Sequence, residues 1–77
     1  MKALLELLVT SLVEHPEEVE ITETVEEGNT YNYEVRVAPQ DTGKVIGKQG
    51  KIANAIRTVV KAAAVKADAR AFVEIVS

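Results

Sequence analysis

Seventy-seven residues leave room for one small domain, 1–77, and for no second core. With no Cys and a single His, a disulfide framework and a Cys-based zinc site are excluded, and no metal or other cofactor is expected. The formal charge of −3, taken alone, speaks against a polyanionic partner. The charge is divided, however. Residues 1–40 hold nine carboxylates and two cations, net −7, whereas residues 41–70 hold seven cations and two carboxylates, net +5. Such an asymmetry predicts a chain whose halves face different things.

Leu5, Leu8, Val9 and Leu12 recur at helical spacing, so residues 2–14 read as an amphipathic helix stopped at His15-Pro16. Glu6 interrupts the apolar residues at the N-terminus and Glu14 closes them. Neither an export signal nor a membrane span is expected, and the location expected is the cytoplasm. From Glu18 to Val25 apolar and polar residues alternate, with Val19 and Ile21 on one side, as in a half-buried strand. Glu27-Gly28-Asn29 signals a turn, and Tyr31, Tyr33, Val35 and Val37 alternate beyond it, completing an antiparallel hairpin.

Pro39 ends that second strand, and Asp41 is expected to cap a short helix over 42–46. Gly47-Lys48-Gln49-Gly50 breaks it. Ile52, Ala53, Ile56, Val59, Val60 and Ala63 mark a longer helix to about Lys66, with Ile52, Ile56, Val60 and Ala63 able to face the core. Ala71 to Val76 reads as a last strand with Val73 and Ile75 on its core side. The order α-β-β-α-α-β predicts a small α+β sandwich: a three-stranded mixed sheet with the helices packed on one face.

The segment Val45-Ile46-Gly47-Lys48-Gln49-Gly50-Lys51 carries the chemistry. Gly47 is expected to end the first helix in a left-handed cap, at no steric cost. Gly50, lacking a side chain, lets another molecule's backbone approach. The following helix start attracts phosphate, and Lys48 and Lys51 add charge while Gln49 adds a donor and an acceptor. The product is a narrow, cationic, backbone-lined clamp. A Walker A loop is excluded, since Gly43 and Gly47 enclose three residues rather than four and Gln49 follows Lys48.

VIGKQG followed by Ile52, Ala53 and Ile56 resembles the KH domain, whose GxxG loop grips about four single-stranded nucleotides. The element order is similar to the type II KH arrangement. Over essentially the whole chain, including the closing Phe-Val-Glu-Ile-Val, the sequence resembles the KhpA family of small bacterial single-KH RNA-binding proteins. The KH pattern prefers a large aliphatic residue where this chain has Ala53. The resemblance implies a non-enzymatic RNA-binding protein in post-transcriptional regulation or RNA chaperoning. Its partners would be single-stranded RNA, a second copy in a homodimer, or a KhpB-like KH protein in a heterodimer, with no small-molecule substrate. It also implies backbone contacts from Gly47, Lys48, Gln49 and Gly50, and an apolar floor of Ile46, Ile52, Ala53 and Ile56 beneath the bases.

Lys44, Arg57 and Lys61 can extend the basic surface, although cations on a helix often serve only to solvate it. His15 has no second His for a metal or relay, and the Glu residues of 14–34 alternate as solvent-facing positions, so no catalytic set converges. Tyr31 and Tyr33 lie in the apolar phase of their strand, which predicts core packing rather than base stacking. Ala55, Val59 and Ala62 lie off the core stripe of the long helix and form a candidate dimer contact. The alternative reading is an interaction scaffold that uses this helix, with RNA binding secondary.

Overall fold

Alternation of apolar residues builds the central strand, and everything else is arranged against it. The computed structural model describes residues 1–76, the side chains of Lys48 and Gln49 excepted. Its elements are α1 (Lys2–Leu12), a 3-10 turn (Pro16–Glu18), β1 (Glu20–Glu26), β2 (Thr30–Arg36), α2 (Pro39–Lys66) and β3 (Arg70–Val76). β2 lies between β1, paired antiparallel, and β3, paired parallel. Tyr33 and Val35 of β2 are buried with Val37 just beyond, and Ala71 of β3 lies beside them. Leu5 and Val9, one turn apart on α1, and Ile56, Val60 and Ala64 of α2 close the core over this one sheet face. Thr22, Thr24, Asn32, Glu34, Phe72 and Glu74 line a concavity on the opposite, open face.

The expected α+β order is present, with shifts at particular residues. α1 ends at Leu12, because Val13 already has extended backbone (φ −104°, ψ 160°) ahead of His15-Pro16. Leu5 and Val9 carry its packing, while Leu12 stays exposed. At the hairpin Gly28 and Asn29 both take positive φ, 75° and 55°, which reverses the chain. The amide of Arg70 donates to the Asn29 carbonyl at 3.0 Å, docking the start of β3 on that turn.

α2 begins at Pro39, not at residue 42, because proline at the first helical position has its φ preset and lacks only an N–H that would be unpaired there. Asp41 therefore falls inside the first turn, and the cap position belongs to Ala38, which makes no side-chain capping bond. The capping role expected of Asp41 is corrected accordingly. The left-handed cap expected at Gly47 is also corrected. The helical span passes through Gly47, and Gly50 is the residue with positive φ, 70°. That single left-handed residue divides the 28-residue span into two helical halves, 39–49 and 51–66. An L side chain at Gly50 would cost roughly 1–2 kcal/mol in backbone strain alone. In the second half Ala64, not Ala63, completes the buried stripe with Ile56 and Val60, following a spacing of four residues.

Candidate nucleic-acid interface

The two halves of α2 hold the Gly47–Gly50 segment in place, and a buried carboxylate fixes the first half. Asp41 is 1% exposed, and its Oδ1 and Oδ2 accept the backbone N–H groups of Glu14 and His15, each at 3.0 Å. The Glu14 amide above all, and then that of His15, hold the carboxyl below the ordinary carboxylate range, outweighing burial; the charges of His15 and Lys44 act in the same sense. One turn further along, Lys44 Nζ lies 3.1 Å from Glu14 Oε1. The helical half that leads into Gly47 is thus tied to the chain leaving α1.

Gly43 and Gly47 lie in helical backbone, and a Cβ built on either meets nothing within 4 Å. Neither internal packing nor a positive φ calls for glycine at Gly47. Glycine in a helix interior costs about 1 kcal/mol relative to Ala, so its presence here is a cost to the fold. Gly50 differs: a Cβ there would make only ordinary contact with Asn54 Nδ2 at 3.8 Å, and the positive φ sets the requirement.

The other expected contact residues divide into surface and core. Ile46 is 47% exposed, and Lys44 and Lys51 are exposed. Ile52 is half-buried and packs against the core. Ala53 and Ile56 are buried, at 4% and 2% exposure, so they lie beneath the surface rather than on it. Their helical phase points them at the sheet. The side chains of Lys48 and Gln49, on which the clamp chemistry was expected to turn, lie outside the described residues.

The structure adds Asn54 and fixes the position of Arg57. Arg57 Nε donates to the Val73 carbonyl at 3.2 Å, and its Nη1 donates to Asn54 Oδ1 at 3.3 Å. Arg57 therefore spans from α2 to β3, an edge strand, and leaves further guanidinium donors free of these two bonds. Asn54 stands one turn beyond Gly50 and carries its polar group into an otherwise apolar helical run, which was the available sequence signal.

Ala55, Val59 and Ala62 are exposed, as the dimer expectation requires. At 100° per residue their stripe lies about 120° around the helix from that of Asn54, Arg57 and Lys61, and about as far from the core stripe. Tyr33 is core: burial, and then its bond from Oη to Glu23 Oε2 at 2.7 Å, push its hydroxyl well above the ordinary tyrosine value. His15, Glu17 and Glu18 bring three potential ligand atoms within 4.8 Å on the 3-10 turn, but both carboxylates are exposed and His15 Nδ1 already faces Glu17 Oε1 at 3.4 Å. Among the described residues no helix is long and apolar enough to cross a membrane.

A strand, two helical halves meeting at Gly-x-x-Gly, and a parallel edge strand, preceded by a further helix and strand, make the type II KH arrangement. The chain belongs to the KhpA/KhpB KH-domain family, whose profile matches residues 2–75. It is 57% identical to the RNA-binding protein KhpA of Clostridium acetobutylicum, over 99% of this chain and 100% of that one. It is 53% identical to that of Clostridium perfringens, with the same coverage, and 51% identical to that of Oceanobacillus iheyensis, over 97% of this chain and 99% of that one. No solved structure matches the chain significantly.

Proposed function

We propose that this chain is a non-enzymatic RNA-binding protein that grips the backbone of single-stranded RNA at Gly47-Lys48-Gln49-Gly50. The observation that carries the reading is Gly47: a half-buried helical glycine, costly to the fold, with open space where a side chain would stand. Such a residue is accounted for by a molecule that comes close from outside. Relatives along the full chain are RNA-binding proteins by name, and a GxxG segment in a KH domain clamps about four nucleotides. In this reading the phosphates lie over residues 47–50 with Lys51 and Lys44 beside them. Ile46 and Ile52 meet the bases, Ala53 and Ile56 support that surface from below, and the Arg57–Val73 bridge forms the far wall. A four-nucleotide grip gives modest affinity and weak discrimination. Post-transcriptional regulation or RNA chaperoning in the cytoplasm suits such a module.

Gly47→Ala tests the reading, because it moves two measurements in opposite directions. Replacing a helical glycine by Ala stabilises by about 0.5–1 kcal/mol, or roughly 4 °C in melting temperature for a domain of this size. The same methyl obstructs the phosphate chain, so affinity for a single-stranded RNA should fall tenfold or more. A more stable variant that binds RNA as the parent does would contradict the clamp.

A second element of the proposal is self-association, or pairing with a KhpB-like KH protein, through Ala55, Val59 and Ala62. The exposure of Val59 between two alanines on one stripe favours it. Two clamps on one strand would then add avidity. Val59→Glu should convert a dimer into a monomer in light scattering while leaving tetranucleotide affinity unchanged. Loss of RNA binding alongside the dimer would instead favour a scaffold in which the helix carries the function.

A further inference from the structure

The strip that begins at the clamp does not end at Arg57. Asn54, Arg57, Lys61 and Val65 follow one another at spacings of three and four residues and so share one face of α2. β3 runs beside that face, with Val73 bonded to Arg57. Beyond this bridge the strip opens into a groove of about 340 Å³, lined by Lys61, Ala64, Val65, Arg70, Ala71 and Phe72 among others. Its surface is unlike that of an ordinary helix–strand junction. Val65 is 75% exposed and Phe72 is 52% exposed, although both are large and apolar. Lys61 and Arg70 are exposed at its rim, and neither forms an ion pair among the described residues.

We propose that this groove takes one or two further nucleotides of the strand held by the clamp, a base lying against Phe72 and Val65 and a phosphate against Lys61 and Arg70. The inference rests on the clamp reading and extends it to a site of its own. Two observations commit the groove to RNA. It continues the strip of Asn54 and Arg57, at a rise of about 12 Å from Arg57 to Val65. It also combines an exposed aromatic face with cations that form no ion pair among the described residues, which is the pairing that single-stranded nucleic acid recognition uses. Phe72 is the chain's only Phe; on the edge strand β3 it borders both the open-face concavity and this groove, and it supplies a stacking surface that Tyr31 and Tyr33, turned to the core side, do not.

The experiment is an NMR titration of the parent, Phe72→Ala, and Lys61→Gln with Arg70→Gln, using oligouridylates of four to seven nucleotides. Sliding of a four-nucleotide site along seven nucleotides accounts for a fourfold gain. The parent should gain at least about twentyfold, with stacking adding roughly fivefold or more. Both variants should lose that excess and keep the tetranucleotide affinity, with unchanged circular dichroism. Identical length dependence in parent and variants overturns the extension and leaves the clamp standing. Absence of binding at every length overturns the clamp and the extension together. Binding of a labelled acidic peptide of alternating Glu and Leu at this groove, with no effect of Phe72→Ala on the heptanucleotide, assigns the groove to a protein partner and overturns the proposal.

Discussion

Lys48→Asp combined with Gln49→Asp is expected to weaken binding of single-stranded RNA by at least about a hundredfold and to leave the circular dichroism spectrum of the parent. The effect is electrostatic. A carboxylate about 6 Å from a phosphate, at an effective dielectric constant near 40, costs roughly 1.4 kcal/mol. Two carboxylates between Gly47 and Gly50 therefore amount to about two powers of ten in affinity, before the lost attraction of Lys48 is counted. The parent's affinity should fall steeply with added salt, as cations on RNA phosphates release counterions, and the variant's residual binding should not recover at low salt. Filter binding across a salt series reads both effects. An unchanged affinity in the double variant would show that the RNA chain does not cross this segment.

The largest effect on stability is expected at Asp41. Its two carboxylate oxygens each accept a backbone amide from the segment after α1, at 3.0 Å, in a position with almost no solvent exposure. Asp41→Ala leaves those two part-buried N–H groups without their acceptors, and donors left unpaired away from water are costly. A loss of about 10 °C in melting temperature is expected. The pH dependence follows from the depressed carboxyl pKa. Above the ordinary carboxylate range Asp41 is ionised both folded and unfolded, and its stabilisation is complete. As pH falls through about 4 the unfolded chain takes up the proton first, and the stabilisation is lost as pH drops through the lower folded-state value. Thermal melts from pH 6 to pH 3 should therefore show parent and Asp41→Asn converging at the acid end. Parallel curves would mean that the ionised carboxylate is not what holds the α1 end to α2.

Local pattern was sufficient for most of the architecture and insufficient wherever partners are distant in the chain. The period-two run through Tyr31, Tyr33, Val35 and Val37 identifies the central strand because burial on one sheet face demands that period. The amides of Glu14 and His15 lie 27 and 26 residues from Asp41, so a helix cap was the only role its neighbours in sequence could suggest. Choosing between Gly47 and Gly50 as the left-handed residue depends on how far the helical hydrogen-bond ladder extends, which composition does not encode. Ala53 and Ile56 share the helical phase of both a groove floor and a core face, and only the position of the sheet separates the two. The Arg57–Val73 bond joins a helix to an edge strand, and no spacing rule anticipates it.

The acidic average of the composition concealed the arrangement. The carboxylates cluster after α1, in the turn that follows it and in the hairpin, while seven of the nine cations fall between residues 41 and 70. The Lys44–Glu14 pair is a point where the two halves meet. Field repulsion from the acidic half is expected to keep RNA on the basic one.

The most direct measurement of the central claim is a map of backbone amide shifts as a four-nucleotide single-stranded RNA is titrated into the isotopically labelled protein. The perturbations should concentrate at 46–57 and along the β3 edge near Val73, with the open sheet face of Thr22, Thr24 and Glu34 unaffected. Perturbations confined to that open face, or to the stripe of Ala55, Val59 and Ala62, would contradict the clamp.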